Sequence, residues 1–468
     1  MTDSWATFGA DLHLDRVAGR GLRAGLTEAL REAARSGRLA AGTRLPSSRS
    51  LAADLGIARN TVAEAYAELV AEGWLTARQG SGTRVAERAR PRRADAAAPV
   101  RRPARRGPAY SLVPGTPDLA AFPRAAWLSA ARRALTAAPN DAFGYAVEAR
   151  GRIELREALA GYLTRARGVY ADPARIVLCA GFLHGLTLLA GVLRARRVRE
   201  VAVEGYGLHF HRDLLAREGL RTRPLGLDGE GARTGELTAG SGAVLLTPAH
   251  QFPTGVALAP ARRAAVVDWA RTTGGLILED DYDGEFRYDR QAVGALQGLD
   301  PERVVYLGTA SKSLAPGLRI GWMVVPPGMV EEVLAVKGAT DWTSSALEQL
   351  TLAAFIESGA YDRHVRGMRL RYRRRRDELV AAVGERAGVP VGVSGIAAGL
   401  HAVLELPVGA ERAVVQAAAW HDLAVHGMGM FRHPGVVGRG RDALVVGYGG
   451  PSDSAWGATL AALVAALP

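Results

Sequence analysis

Three stretches with apolar residues at helical spacing open the chain. They cover residues 21–36, 45–56 and 59–72, and a glycine closes or follows each of them. The second begins with Pro and Ser and ends at Gly56, as short helices often do. Two short helices joined by a tight turn that contains glycine are the plan of a helix-turn-helix. The third stretch opens with Arg59-Asn60-Thr61, polar residues at the end where such a helix meets base edges and phosphates.

A hairpin pattern follows these helices. Residues 74–85 alternate around a Gly-Ser-Gly turn, which predicts a β-hairpin. Such a hairpin would form a wing, with Arg78 and Arg84 on its two arms. The pattern thus predicts a winged helix-turn-helix that binds DNA. The alternative is a small helical domain that only mediates contacts.

Beyond residue 110, short apolar runs alternate with helical patterns. Five runs predict strands, at residues 175–179, 200–203, 243–246, 276–278 and 304–307. Helical stretches lie between them, among them 186–197 and 261–272. This order predicts a multidomain α/β protein whose large domain has a mostly parallel sheet flanked by helices, with ligands bound at the carboxyl ends of the strands.

Composition changes this picture mainly through charge. The 468 residues carry a net charge of +12 and the sequence pI is about 10.3, which favours a polyanionic partner, nucleic acid first. One segment is rich in Arg and Pro and poor in large apolar side chains, which predicts an extended tether. The predicted parts are a DNA-binding head at 12–86, this flexible linker at 87–108 and a large domain at 109–468.

The sequence also disfavours disulfide-bonded, metal-binding, secreted and membrane proteins. The single cysteine, Cys179, cannot form an internal disulfide and fits a reducing compartment. No group of Cys and His has the spacing of a metal site, so no metal is expected. The N-terminus lacks the segments of a signal peptide, and no apolar run is long enough to cross a bilayer. We therefore expect a cytoplasmic protein without a membrane partner.

Reactive and polar side chains follow the predicted strands. Lys312 stands in a loop of small and hydroxylated residues, where a lysine with a lowered pKa could form an imine with an aldehyde. An aldehyde cofactor with a pyridine ring and a phosphate also needs a carboxylate, an aromatic ring, hydroxyls and an arginine. Other strand ends supply these groups, and the turn at Gly181 opens a helix whose N-terminus could hold a phosphate. A lone lysine would be an ordinary solvated loop residue, but the combination favours a cofactor site.

The first 85 residues resemble the winged helix of GntR-type regulators from Gly21 onward. The segments Leu45–Arg49, Arg59–Val62 and Gly80–Thr83 carry the resemblance. It implies that double-stranded DNA is contacted by Arg49, Arg59, Thr61 and Gly82.

The large domain resembles the fold-type I aminotransferases, which bind pyridoxal 5′-phosphate (PLP). Together with the head, the whole chain resembles the MocR subfamily of bacterial transcription regulators. The segments His250–Gly255, Glu279–Tyr288 and Ser311–Pro316 carry this resemblance.

The resemblance also assigns cofactor-binding roles. It implies that Lys312 forms the internal aldimine with PLP and that Asp280, rather than Asp281, pairs with the ring nitrogen. Tyr282 would bond the phenolic oxygen of the ring and Tyr206 would stack on its face. The phosphate would be framed by Gly181, Phe182, Thr309, Ser311 and Arg319.

Two positions depart from the aminotransferase pattern. Phe252 stands where these enzymes place an Asn before Pro-Thr-Gly, and Val445 stands where they carry the Arg that binds the substrate carboxylate. An apolar side chain cannot pair with a carboxylate, so Arg432 or Arg441 would have to substitute. The departures favour a sensor over an enzyme, while a residual aminotransferase half-reaction stays open.

The resemblance predicts a PLP-dependent transcription regulator that senses PLP, an amino compound or both, and that controls vitamin B6 or amino-acid metabolism. The alternative is an active aminotransferase with an accessory DNA-binding domain. Both halves resemble two-fold assemblies, so we expect a homodimer on an operator with paired half-sites. Tyr145 would then reach the site of the neighbouring subunit.

Overall fold

The computed structural model describes residues 21–78, 82–87, 107–144, 148–288, 293–340, 345–385 and 391–468. The chain divides into two compact units, Met1–Arg105 and Arg106–Pro468. Nearly all of the predicted linker, Tyr145 and the hairpin tip at 79–81 lie outside the described residues. The boundaries 12–86, 87–108 and 109–468 therefore stay predictions.

The N-terminal unit has the three helices and the hairpin that its sequence pattern predicts. They are α1 (Leu22–Ser36), α2 (Ser48–Leu55), α3 (Arg59–Ala71), β1 (Leu75–Arg78) and β2 (Gly82–Val85), with the strands antiparallel. The Oγ of Ser47 caps α2, because it accepts the backbone N–H of Ser50 at 3.1 Å. Gly56 ends this helix with φ 65°, a conformation that favours glycine.

One apolar cluster joins the elements of this unit. Leu30 of α1, Leu51 of α2, Val62 of α3 and Val85 of the hairpin are all buried in it. The burial leaves the opening turn of α3 facing solvent, where Arg59 is exposed. The helix-turn-helix is thus held by its core while its polar end stays accessible.

The C-terminal unit alternates strands and helices. In chain order its strands are β3 (Tyr110–Ser111), β4 (Ile176–Cys179), β5 (Glu200–Glu204), β6 (Arg221–Leu225), β7 (Leu227–Asp228), β8 (Gly231–Ala232), β9 (Ala243–Leu246), β10 (Leu276–Asp280), β11 (Val304–Thr309), β12 (Gly321–Val324), β13 (Gly392–Ser394), β14 (His401–Glu405), β15 (Leu423–Ala424), β16 (His426–Gly427) and β17 (Ala443–Gly447). Its helices are α4 (Arg124–Ala137), α5 (Ile153–Arg167), α6 (Phe182–Ala195), α7 (His209–Arg217), α8 (Pro260–Thr273), α9 (Val330–Thr340), α10 (Ala346–Glu357), α11 (Ala360–Gly384), α12 (Glu411–Trp420) and α13 (Asp453–Ala466).

The central sheet has seven strands in the order β4-β12-β11-β10-β9-β5-β6. Five of them are the predicted strands, and the sheet is parallel except at β12, which runs antiparallel to both of its neighbours. β12 and β6 were not among the predicted strands. β6 carries Arg221, Arg223 and Pro224 at the sheet edge, so it does not read as an apolar run. β12 is a fully buried Gly-Trp-Met-Val run of the same length as β4 and β9, so its pattern was available in the sequence.

A smaller antiparallel sheet, in the order β13-β14-β17-β16, belongs to the same unit. The first residue of β14, His401, pairs with Gly447 of β17 and lies beside Phe252 of the segment after β9, with ring centroids 5.1 Å apart. This sheet therefore closes one side of the region beyond the carboxyl ends of the central strands. In the described part of the chain, no helix has the length and apolarity needed to cross a membrane.

Candidate functional site

A cavity of about 520 Å³ lies at the carboxyl ends of β4, β5, β9, β10 and β11. Its volume falls in the range of small-molecule sites, roughly 300–1,000 Å³. All nine residues predicted to bind the cofactor line it: Gly181, Phe182, Tyr206, Asp280, Tyr282, Thr309, Ser311, Lys312 and Arg319. The fold thus brings together groups that are up to 138 positions apart in the sequence (319 − 181).

Lys312 follows β11 in a turn that directs its side chain into the cavity. Its ammonium Nζ donates to the carbonyl of Gly115 at 2.6 Å. Burial lowers the pKa of Lys312, while the carboxylates of Asp280 and Asp283 oppose the shift. The neutral amine, which is the form that attacks an aldehyde, is therefore easier to reach than on an exposed lysine.

The adjacent aspartates at the end of β10 have different environments. Asp280 is 7% exposed, and no hydrogen bond to its carboxylate occurs within the described residues. Burial raises its pKa well above the ordinary value, and Lys312 opposes this. The Asp281 carboxylate instead accepts hydrogen bonds from Arg167 at 2.7 and 3.0 Å and from Tyr306 at 2.8 Å. Of the two, Asp280 is the one that lines the cavity, and its carboxylate accepts no hydrogen bond from the described residues.

Tyr282 is held by a buried histidine. Its hydroxyl lies 3.2 Å from Nδ1 of His250, which is 2.8 Å from an Asp283 oxygen. His250, Asp283 and His401 form a buried group that could hold a metal ion, which the spacing of Cys and His in the sequence does not indicate. The hydrogen bond between His250 and Asp283 accounts for the close approach of that pair without an ion.

Glycines shape one end of the cavity. Gly181 has φ 91° and precedes α6 without a side-chain cap, so the first N–H groups of that helix are available to an oxyanion. A Cβ on Gly321 would come within 2.7 Å of the Gly181 Cα, so the strand can approach only because it carries glycine. The hydroxyls of Thr309 and Ser311 are 2.8 Å apart beside this turn, and Arg319 is exposed.

The position of the missing arginine is apolar in the fold as well. Val445 is fully buried in a cluster that contains Tyr206, Phe252 and Phe431. Arg441 forms an ion pair with Glu405, and Arg432 donates to the carbonyls of Val436 and Gly438. Within the described residues neither arginine lines the cavity, so neither replaces the missing group there.

Some lining residues carry charge or protons and were not among the sequence candidates. They are Glu204, His209, His211, Arg212, His401 and His426. Glu204 accepts hydrogen bonds from Thr247 and Gln251, yet burial raises the pKa of its carboxyl to about 7. Its place at the end of β5, two residues before Tyr206, was a usable signal. The other five lie in a helix or in the distant small sheet, where the sequence offers no such signal.

The predicted DNA contacts all lie in the N-terminal unit. Arg49 and Arg59 are exposed in the first turns of α2 and α3, and Thr61 is half-buried. Gly82 begins β2 with φ 81°, and a Cβ there would lie 3.1 Å from Nε of Arg44. The structure therefore leaves both arginines accessible, while their contact with DNA stays a prediction.

The two units match two different families. Residues 22–85 match the model of bacterial regulatory proteins of the gntR family, and residues 116–441 match that of aminotransferase class I and II. The chain is 35% identical over 392 residues to the probable rhizopine catabolism regulatory protein MocR of Rhizobium meliloti, covering 79% of this chain and 78% of that protein. The chain belongs to the MocR-type regulators of the gntR family.

Other relatives of this MocR-type regulator agree with that assignment. It is 32% identical over 388 residues to the HTH-type pyridoxine biosynthesis transcriptional regulator PdxR of Corynebacterium glutamicum, covering 81% of this chain and 82% of that protein. The crystal structure of an archaeal alanine:glyoxylate aminotransferase matches with a TM-score of 0.67 and 25% identity, over 76% of this chain and 89% of that one. The large unit thus has the fold of the aminotransferases, and the complete chain is a transcription regulator with a helix-turn-helix head.

Proposed function

We propose that this regulator binds PLP in the cavity around Lys312, and that the presence of PLP in this cavity controls how the head binds DNA. One observation carries the proposal: nine residues suited to a pyridine aldehyde phosphate line a single cavity in a chain with a gntR-family head. Bound PLP would supply an aldehyde for the lysine amine and an electron-withdrawing ring.

The residues fit that group on chemical grounds. Asp280 has a carboxylate without a hydrogen-bond donor from the described residues, and a protonated ring nitrogen would supply one and offset the cost of burying its charge. Tyr282 would bond the phenolic oxygen, and Tyr206 would cover a ring face. The phosphate would lie between the amino end of α6 and the side chains of Thr309, Ser311 and Arg319.

The head would bind DNA through Arg49, Arg59, Thr61 and Gly82. The net charge of +12 supports attraction to phosphates. A homodimer would place two heads on an operator with paired half-sites, and action on DNA implies a cytoplasmic location. Sensing, rather than turnover, is supported by Val445, because its apolar surroundings cannot hold a substrate carboxylate.

The visible absorbance spectrum of the purified protein with PLP tests the cofactor part. We expect a band that is absent from Lys312→Ala, and Lys337, buried elsewhere in α9, should not replace it.

Arg59→Ala should abolish specific DNA binding and leave the band intact. No lysine-dependent band would refute cofactor binding, and loss of the band in Arg59→Ala would refute the separation of the two functions. Sustained production of a keto acid from an amino acid would favour an active aminotransferase.

A further inference from the structure

Tyr282 lies between the cavity and a buried pair of side chains. Its hydroxyl is 3.2 Å from Nδ1 of His250, and the same nitrogen is 2.8 Å from an oxygen of Asp283. The side chains of His250 and Asp283 are only 3% and 1% exposed, whereas Tyr282 lines the cavity. The proposed function gives Tyr282 the phenolic oxygen of the cofactor, but it gives the pair behind Tyr282 no role.

The partners of the His250 ring decide which of its nitrogens carries a proton. An oxygen of a carboxylate only accepts hydrogen bonds, so the contact with Asp283 assigns a proton to Nδ1. The other ring nitrogen, Nε2, is buried and has no hydrogen-bond partner among the described residues. Because a buried N–H group without an acceptor is rare, Nε2 is the nitrogen without a proton. His250 is therefore a hydrogen-bond donor at Nδ1.

This assignment determines where the proton of the Tyr282 hydroxyl can go. A nitrogen that carries a proton cannot accept another, so the hydroxyl can only accept a hydrogen bond from Nδ1. Burial raises the pKa of Tyr282 well above its ordinary value, and the charge of Asp283 adds to this, so the hydroxyl keeps its own proton. Two acceptors compete for that proton, the Asp283 carboxylate and a ligand in the cavity. The His250 proton already occupies Asp283, which favours the ligand.

A turn of the small sheet fixes the pair in place. Gly399, just before β14, has φ 71°, and a Cβ at this position would clash with the His250 ring and with an Asp283 oxygen. The N–H of Gly399 donates to the carbonyl of Phe286 at 2.7 Å, and its carbonyl accepts from Tyr448 at 2.9 Å. The pair is therefore in position before a ligand arrives.

The other ionisable groups near Tyr282 do not take over the role of His250. Asp280 at the end of β10 and Glu204 at the end of β5 act on Tyr282 through their charge, and both raise its pKa. The His401 ring is 4.8 Å from the His250 ring, but its Nε2 bonds to a main-chain carbonyl at 3.1 Å. Within the described residues, His250 is thus the histidine that contacts the Tyr282 hydroxyl.

We propose that His250 and Asp283 position Tyr282: the His250 proton occupies Asp283, and the Tyr282 hydroxyl therefore donates to the phenolic oxygen of the cofactor. The proposal rests on the proposed function, since it assumes that PLP occupies the cavity. Neither His250 nor Asp283 lines that cavity, so both are positioning residues that act through Tyr282.

The test is a pH titration of the Lys312-dependent absorbance band of the PLP-loaded protein. A donor at the phenolic oxygen draws negative charge away from the lysine nitrogen joined to the cofactor, so this nitrogen loses its proton at a lower pH. His250→Gln should therefore raise the midpoint of the titration by about 1 pH unit or more. His250→Asn should stay within about 0.3 pH unit of the wild type, because its amide N–H can replace the Nδ1–H group. His433→Gln, buried outside the cavity, should leave the midpoint unchanged.

A double substitution separates positioning from a merely structural role. Tyr282→Phe should raise the midpoint as His250→Gln does, and adding His250→Gln to Tyr282→Phe should have no further effect. The tautomer can be read from the wild type alone, by NMR of protein labelled at the histidine nitrogens. The signal that His250→Asn removes should come from a ring with its proton on Nδ1.

Several results would overturn the role of His250 and Asp283 while the band is present in the wild type. They are a midpoint that His250→Gln leaves unchanged, equal midpoints for His250→Gln and His250→Asn, additive effects of His250→Gln and Tyr282→Phe, and a proton on Nε2. Absence of any Lys312-dependent band would overturn the proposed function and this inference together.

Discussion

Asp280 and Asp281 are neighbours in sequence, but their substitutions by Asn should affect different properties. The Asp281 side chain is 1% exposed and pairs with Arg167, which is 6% exposed. Burial alone would lower the pKa of Arg167, but Asp281 more than offsets this and the pKa lies above its ordinary value. Asp281→Asn leaves that guanidinium buried without a counter-charge, which costs roughly 3–5 kcal/mol.

Asp280 makes no comparable hydrogen bond to any of the described residues, so Asp280→Asn should change the free energy of unfolding by less than about 1 kcal/mol. Urea unfolding without PLP at pH 7 measures both. With an m-value of about 3 kcal/mol/M, Asp281→Asn should lower the midpoint by about 1 M or more. Asp280→Asn should leave the midpoint nearly unchanged and weaken PLP binding instead. Equal midpoints for the two variants would refute this division of roles.

Three further predictions concern single residues. Glu204 has a pKa of about 7 in the fold and an ordinary pKa of 4.5, so its contribution to stability is fully present below pH 4.5 and is lost as the pH rises through 7. The free energy of unfolding of Glu204→Gln should therefore fall less across this range than that of the wild type. Gly321→Ala should displace the Gly181 turn and weaken PLP binding at least about tenfold by absorbance titration, whereas Gly317→Ala, in open space, should not. Ser47→Ala removes the cap of α2 and should destabilise the head by about 1 kcal/mol in thermal unfolding; an unchanged melting transition would contradict the capping role.

The sequence predicted those parts of the fold that depend on local pattern. The five strands with continuous apolar runs were found because both of their faces are buried between helices. β6 was missed because an edge strand tolerates the charges of Arg221 and Arg223. Likewise the head was predicted in full outline, since its helices bury one apolar stripe each.

The sequence predicted those residues of the cavity that follow a strand directly. Asp280 and Lys312 come at strand ends, where the topology alone brings them to one edge. Asp281 differs from Asp280 because it pairs with Arg167, 114 positions away, and the sequence alone does not show this pair. The sequence could not place Arg212 at the cavity, because its guanidinium donates to carbonyls of residues 431 and 432, which are distant in the sequence.

We propose that PLP bound in the cavity alters DNA binding by the head. The direct measurement is the affinity of the protein for an operator selected from random DNA, with and without PLP, for the wild type and for Lys312→Ala at fixed salt. We expect PLP to change the affinity of the wild type for the operator and to leave that of Lys312→Ala unchanged. Equal affinity with and without PLP, in wild-type protein whose absorbance band shows bound cofactor, would contradict it.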